Sequence, residues 1–313
     1  MLTGIPTILA VLAILMLGYG LSRSSLTNDD FWRGASRVGY WVFFPVLLFR
    51  TITLMDAPAQ TIWTFINILV VGLILISIII WVLCKCANVT NAAMGCVLQG
   101  AFRHNGFIAL AVVQGLFGES GLILGAIAMS VLVVPSNVMA VIAMAIYRQE
   151  DAAIGQPMGR YILKEIARNP LIIAIILALV MRLFSWSIPP VLDEATAMLS
   201  QSALTFMLLT VGAGLRFQSL AGRITPLLIA ASAKTIIFPI LLLGGGMFVG
   251  LPIEALVVLA IFGSVPTAAS SYTLAQEMRG DAPLMSDIIM LQTLLAIPGL
   301  ILWIWIASTL GTI

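Results

Sequence analysis

Residues 62–83 read IWTFINILVVGLILISIIIWVL, an apolar run without a charged side chain. A helix needs about 20 consecutive apolar residues to cross the ~30 Å hydrocarbon core of a bilayer. The run does not alternate apolar and polar residues, as the strands of a membrane barrel do. Only a helix satisfies its own backbone hydrogen bonds in lipid, so the stretch predicts a transmembrane helix.

The composition of the whole chain agrees with this segment. Hydrophobic residues make up 61% and charged residues 9% of the 313 residues, against roughly 45–50% and 25% in soluble proteins. The mean hydropathy is +1.13. These values exclude a soluble enzyme, a nucleic-acid-binding protein and a disordered chain. The net charge of +2 indicates no polyanionic partner.

The cysteines and the histidine predict neither a metal site nor a cofactor. Cys84, Cys86 and Cys96 are the three cysteines, and His104 is the one histidine. Cys84 and Cys86 are too close in sequence for an ordinary zinc finger, and one histidine cannot complete a familiar ligand set. We therefore expect inert thiols.

Hydropathy predicts an all-α polytopic membrane protein with ten transmembrane helices. We place the spans at 4–22, 38–55, 62–83, 92–117, 121–147, 169–187, 198–217, 224–249, 254–277 and 284–309. The charged stretch 148–168 divides the chain into a first repeat, 1–147, and a second repeat, 169–313. Each repeat holds five spans, and 148–168 is the cytoplasmic linker.

The distribution of positive charge predicts the orientation. Loops after the odd-numbered spans carry eleven Lys and Arg residues, whereas the opposite side carries only Arg50 and Arg182. Positive residues stay in the cytoplasm. Both termini are therefore expected outside.

The two halves share features at a common offset of 161–163 residues. Gly118-Glu119 corresponds to Gly280-Asp281, and Pro135 corresponds to Pro298. Because five is odd, two five-span halves must insert with opposite topology. Inverted repeats of this kind are typical of secondary transporters, whose substrate sites lie near the bilayer midplane between discontinuous helices.

Each half contains one predicted helix break near the middle of a span. Asn105-Gly106 favours a turn inside span 4, and Pro266 removes a backbone donor inside span 9. Thr267 and Ser270 follow in a polar stretch. Half-helices beginning near Gly106 and Thr267 would both aim positive N-termini at the midplane, which predicts an anion site.

The deep charged residues are all basic. Arg103, His104 and Lys234 lie deep inside spans, whereas no Asp or Glu lies deep in any span; the nearest ones sit at span ends, namely Glu119, Glu254, Glu277, Asp281 and Asp287. Arg103 either attracts substrate or packs against carbonyl groups or a water cavity. The same alternatives hold for Lys234, which could also carry a coupling proton, because burial favours the neutral form of lysine. His104 either titrates near neutral pH or is structural.

Four stretches together resemble the auxin efflux carrier family, which includes plant PIN-type carriers and PIN-like bacterial transporters of small acids, and whose fold is related to that of the bile acid:sodium symporters. They are Phe102–Ile108 (FRHNGFI), Phe117–Gly121 (FGESG), Asn169–Ala174 (NPLIIA) and Val265–Ala275 (VPTAASSYTLA). The short linker and His104, which stands where plant carriers have proline, favour a bacterial member in the inner membrane.

The resemblance implies a scaffold of spans 1, 2, 6 and 7 and a transport core of spans 3–5 and 8–10 that moves as an elevator. Spans 4 and 9 would cross at their breaks. Asn105 matches the crossover asparagine that helps hold the substrate carboxylate, and Pro266 matches the second crossover proline. Further polar contributions would come from Ser136, Asn137 and Gln292.

These observations predict a secondary transporter of a small organic anion, either a malate- or malonate-type carboxylate or an auxin-like acid. We expect the carboxylate between the half-helix N-termini, with hydrogen bonds from Asn105 and Thr267. Apolar side chains around Phe44, Phe107 and Val134 would shape the rest of the pocket. Coupling to a proton or to sodium stays open at this point, as does a homodimer.

Two other classes of protein compete with this prediction. A drug/metabolite exporter-type carrier also has inverted five-span repeats, but paired breaks in spans 4 and 9 are not expected there. An intramembrane enzyme would need a motif such as HExxH or a deep acid–base pair, and the sequence has neither.

Overall fold

The computed structural model describes residues 4–55, 59–147, 167–215 and 224–310, and all regular structure in these ranges is helical. The predicted linker therefore lies almost entirely outside the described residues. The helices are α1 Gly4–Ser22, α2 Asp29–Val38, α3 Phe44–Thr53, α4 Ala59–Cys86, α5 Asn91–Phe102, α6 Gly106–Tyr147, α7 Pro170–Leu183, α8 Pro190–Ala213, α9 Ile224–Ser232, α10 Phe238–Phe248, α11 Ile253–Ser264, α12 Ser270–Glu277 and α13 Ala282–Leu310.

Helices occupy every predicted span that the structure describes, and six helical segments are long and apolar enough to cross a bilayer. The chain is thus an integral membrane protein. The largest boundary error is at span 2, which was predicted from residue 38 although α2 begins at Asp29. Asn28 caps this helix by accepting a hydrogen bond from the Phe31 amide. Asp29 and Asp30 in the first turn favour the helix but lower its hydropathy, so a hydropathy window misses it.

Two π-helical segments, Gly39–Phe43 and Ala233–Ile237, join α2 to α3 and α9 to α10. Each is followed by a Phe-Pro pair at the start of the next helix. Proline lacks an amide hydrogen and clashes with the carbonyl four residues earlier, and a widened turn relieves both problems. For Pro239 that carbonyl belongs to Thr235, and it accepts a hydrogen bond from Trp303 Nε1 at 2.7 Å instead.

Helix α6 consists of two antiparallel arms, 106–117 and 119–147, that turn at Gly118. Gly118 has φ 63° and ψ −138°, a conformation open essentially to glycine alone. A Cβ at Gly125 would lie 2.8 Å from Leu110, and one at Gly106 would lie 1.8 Å from Met129. In both pairs the two residue numbers add up to the same total, as they do when the two arms of an antiparallel hairpin face each other. The arms correspond to the second half of span 4 and to span 5.

The helices pack as two groups. The scaffold group consists of α1, α2, α3, α7 and α8, and the core group consists of α4–α6 and α9–α13. In the scaffold group, α1 and α8 touch backbone to backbone, since a Cβ on Gly18 would lie 2.1 Å from the Leu209 carbonyl oxygen. Small residues allow such close approach between membrane helices. In the core group, α11 is buried on all sides from Ala255 to Ser264.

Candidate functional site

The helix interruptions in the two halves of the chain meet each other. The first separates α5 from α6 at residues 103–105, and the second separates α11 from α12 at residues 265–269. The Asn105 amide donates a hydrogen bond to the Pro266 carbonyl at 2.7 Å, which joins the two breaks directly. Helix α12 begins at Ser270, three residues later than the start near Thr267 that we predicted.

Asn105 stabilises the start of α6 and also borders a cavity. Its Oδ1 accepts a hydrogen bond from the Ile108 amide at 3.3 Å, the bond of an N-cap residue. The residue is 5% exposed and is part of the cavity lining. Among the described residues, no hydrogen bond uses its Nδ2 group, which is therefore free to donate to a ligand in the cavity.

Thr267 and Gln292 stabilise the crossing of the two breaks through hydrogen bonds on the side that does not line the cavity. The Gln292 Oε1 atom accepts a hydrogen bond from the Thr267 amide, and its Nε2 donates to the carbonyls of Gly100 and Ala230, both at 2.8 Å. The Thr267 hydroxyl donates to the Gly100 carbonyl at 3.0 Å. Both residues are at most 1% exposed and lie outside the cavity lining. The expected hydrogen bond from Thr267 to a substrate does not fit this geometry, because its donors are already engaged.

Arg103 carries a buried positive charge into the wall of the cavity. Its guanidinium donates to Gln99 Oε1 at 3.2 Å, to Asn137 Oδ1 at 2.9 Å and to Ser270 Oγ at 2.9 Å. All three acceptors are neutral. Among the described residues, the ion pairs Arg33–Asp30 and Arg50–Asp193 do not involve Arg103, and its guanidinium has no carboxylate partner. A buried cation held only by neutral groups favours a nearby anion.

The cavity lies between the scaffold group and the core group and has a volume of about 730 Å³. Phe44 of the scaffold group and Phe107 of the core group both line it and contact each other edge to face, with their ring centroids 4.7 Å apart. Seven predicted site residues line its wall: Arg103, His104, Asn105, Gly106, Ser136, Asn137 and Ser270. Val133 lines it in place of the predicted Val134.

The mouth of the cavity lies at one end of the molecule. Asp29, Arg33 and Ser36 of α2 line it there and are exposed, and Gln276 near the end of α12 lines it from the core group. These residues belong to the end of the helices that the positive-inside pattern assigns to the cytoplasm. The opposite end, near Ser120 and Glu254, does not contribute to the lining.

Pro266 and Lys234 lie away from the cavity. Pro266 borders a small void beside α1 instead. Lys234 is 0% exposed, and its Nζ lies 4.7 Å from the centre of the Phe238 ring without a hydrogen-bond partner among the described residues. The His104 ring packs against Phe262, with their centroids 5.8 Å apart.

Gln99, Tyr40 and Tyr272 are site residues that the sequence did not reveal. Gln99 holds Arg103, and the two tyrosines line the cavity. Gln99 precedes Arg103 by four residues, a spacing that places both on one helix face. This spacing is the feature of the sequence from which a contact between Gln99 and Arg103 could have been predicted. Tyr40 lies in the π-helical segment Gly39–Phe43 and Tyr272 lies in α12, and only the folded chain brings these two elements together.

Comparison with known proteins supplies one match. Residues 3–304 match the family model described as "Membrane transport protein". No curated protein matches the chain significantly.

Proposed function

The chain belongs to the auxin efflux carrier family of membrane transporters, and from this premise we propose that it is a secondary transporter of a small organic anion. The family consists of transporters and not of enzymes, so the intramembrane enzyme is excluded. The assignment also removes the drug/metabolite exporter-type carrier, which belongs to a different class of inverted-repeat protein.

The observation that carries the proposal is the Arg103 guanidinium in the cavity wall without a carboxylate partner. A guanidinium has five N–H donors, and Arg103 uses three of them, so two remain for a carboxylate. Such charge-assisted bonds are about twice as strong as neutral ones. Asn105 and the first turn of α6 lie beside it on the cavity wall. The free amides and the positive dipole end of α6 add to the attraction for an anion.

The rest of the cavity suits the body of the substrate. Phe44, Phe107 and Tyr40 offer an aromatic wall, while Ser136 and Asn137 offer hydrogen-bonding groups. A mostly apolar pocket with a few converging polar groups is typical of small-molecule sites. The site is compatible with a malate- or malonate-type acid and with an auxin-like acid.

The position of the cavity supports an elevator mechanism. One wall belongs to the scaffold group and the other to the core group, so a displacement of the core group would carry Arg103 and Asn105 past the scaffold. In this proposal ten helices cross the membrane as two inverted repeats, 1–147 and 169–313. The open mouth then faces the cytoplasm, and both termini lie outside a bacterial inner membrane.

The test measures binding and transport of matched acids and amides. Purified protein is heated with malonate, malate or indole acetate, and with the neutral amide of each acid. A ligand that binds only the folded state raises the melting temperature, so we expect at least one acid to do so while its amide does not. The same acid should be taken up by proteoliposomes. Equal shifts for an acid and its amide, or shifts for none, would contradict an anion site.

A further inference from the structure

Gln99 of α5 orients Arg103 from outside the cavity. Its Oε1 accepts a hydrogen bond from the Arg103 Nη1 group at 3.2 Å, and its side chain is 0% exposed. Asn137 and Ser270, the other two acceptors of Arg103, line the cavity, whereas Gln99 does not. Gln99 therefore acts on a ligand in the cavity through Arg103, which makes it a positioning residue.

The amide group of Gln99 leaves a buried donor without an acceptor. Arginine offers only donors, so the amide oxygen must face Arg103 and the Nε2 group must face away from it. Among the described residues, no atom accepts a hydrogen bond from this buried Nε2 group. A buried polar group without a partner costs stability, and native structures contain few of them. Glutamine is therefore not the side chain that satisfies this position best.

A carboxylate in place of this amide would suit the local structure better. It has nearly the same shape, accepts the same hydrogen bond, carries no unmatched donor and would pair with the buried guanidinium. It would also compensate the charge of Arg103, which would then attract a bound anion less strongly. Sequences depart from local rules mainly at functional sites. The neutral amide thus indicates that the charge of Arg103 is needed for something other than stability.

We propose that the neutrality of Gln99 sets the charge selectivity of the cavity. The amide oxygen holds the guanidinium in place without cancelling its charge. Arg103 therefore keeps that charge, together with two N–H donors, for a carboxylate of the substrate. A carboxylate at position 99 would hold Arg103 equally well but would remove the uncompensated cation. Like the site itself, this role of Gln99 rests on the proposed function.

The experiment replaces Gln99 by glutamate and measures affinity for an acid and for its neutral amide. The probes are malonate, malate and indole acetate with their amides, and titration calorimetry of the purified protein gives the dissociation constants. The acid that the wild type binds should bind Gln99→Glu at least about tenfold more weakly, whereas its amide should bind both proteins alike. Without ligand, Gln99→Glu should melt at or above the temperature of the wild type, because it gains an ion pair and loses the unmatched donor.

Two further variants separate charge from position. Gln99→Met removes the acceptor but stays neutral, so Arg103 keeps its charge, and the acid should bind this variant more tightly than Gln99→Glu. Gln60→Glu adds the same negative charge at the exposed start of α4, outside the cavity lining. It should bind the acid as the wild type does.

If Gln99 only held Arg103 in place, the order of affinities would be reversed, because glutamate can hold a guanidinium and methionine cannot. Wild-type affinity in Gln99→Glu, or weaker binding to Gln99→Met than to Gln99→Glu, would therefore overturn the proposal and leave the proposed function standing. A lower melting temperature of Gln99→Glu would also overturn it, since the fold itself would then require the amide. If no acid bound the wild type, the proposed function would fail, and the melting temperatures would still test whether the amide is unfavourable for the fold.

Discussion

Arg103 is both hydrogen-bonded to neighbouring side chains and placed in the cavity wall, whereas the sequence presented packing and attraction of substrate as alternatives. Its hydrogen bonds to Gln99, Asn137 and Ser270 tie α5 to the long arm of α6 and to α12. The same guanidinium also borders the cavity. In the proposed function, an anion bound at Arg103 would therefore be coupled to the geometry of both breaks.

Arg103→Gln should weaken binding of the transported acid at least tenfold, a loss of about 1.4 kcal/mol, because the deep cation is removed. Arg103→Lys should retain part of the affinity, since it keeps the charge but loses the planar fork. The measurement is the dissociation constant of the acid by titration calorimetry. Arg33→Gln is the matched control, since Arg33 lines the exposed mouth and should affect affinity weakly. Equal losses for Arg33→Gln and Arg103→Gln would contradict this assignment.

Asn105→Asp separates the cap of α6 from the binding of substrate. Aspartate caps a helix as well as asparagine does, so α6 should still form. The variant lacks the Nδ2 donor and adds a negative charge beside the anion. We expect uptake to fall at least tenfold while the protein remains folded by melting temperature and gel filtration. Wild-type uptake in Asn105→Asp would remove Asn105 from the substrate site.

At the scale of helices, hydropathy predicted the positions of the long apolar helices, because the bilayer imposes their length. It could not predict α2, which is amphipathic and charged in its first turn. Nor could it predict the π-helical segments, because a proline inside a span is equally compatible with a kink or a break. The additional turn residues before Pro45 and Pro239 follow from local hydrogen bonding that hydropathy does not record.

The contact between α1 and α8 predicts a large effect from a single methyl group. Gly18→Ala places a Cβ 2.1 Å from the Leu209 carbonyl oxygen, so the two helices must separate. We expect a loss of about 1–3 kcal/mol in the free energy of unfolding, measured by the denaturant or heat dependence of the purified protein. Gly20→Ala on the same helix is the control, because no atom lies within 4 Å of the added Cβ. Similar stabilities of the two variants would show that the helices do not pack this closely.

For the molecule as a whole, the position of the cavity mouth predicts which residues reagents can reach from each side of the membrane. With Cys86→Ser as the background, Ser36→Cys lies at the mouth and Ser120→Cys lies at the opposite end. A membrane-impermeant maleimide should label Ser36→Cys from the cytoplasmic side only and Ser120→Cys from the outside only. Labelling of both positions from one side would contradict the predicted topology.

The sequence predicted the two helix breaks better than the arrangement of the side chains around them. Asn105-Gly106 and Pro266 both indicate helix breaks, because turn-forming residues and proline disfavour a helix interior whatever surrounds them. The direction in which each side chain after a break points depends on the path of the backbone beyond the end of the helix. Thr267 therefore points to Gly100 and not to the cavity, and Gln292 binds backbone carbonyls behind the crossing.

The aromatic side chains of the cavity come from both helix groups, Phe44 and Tyr40 from the scaffold group and Phe107 from the core group, whereas Arg103 belongs to the core group alone. In the proposed elevator mechanism, a short acid held by Arg103 would move together with the core group. An acid with a long rigid aromatic tail would contact both helix groups at once and would hinder their movement past each other. Such molecules should bind tightly yet pass slowly, which makes tail length the natural variable for turning a substrate of this protein into its inhibitor.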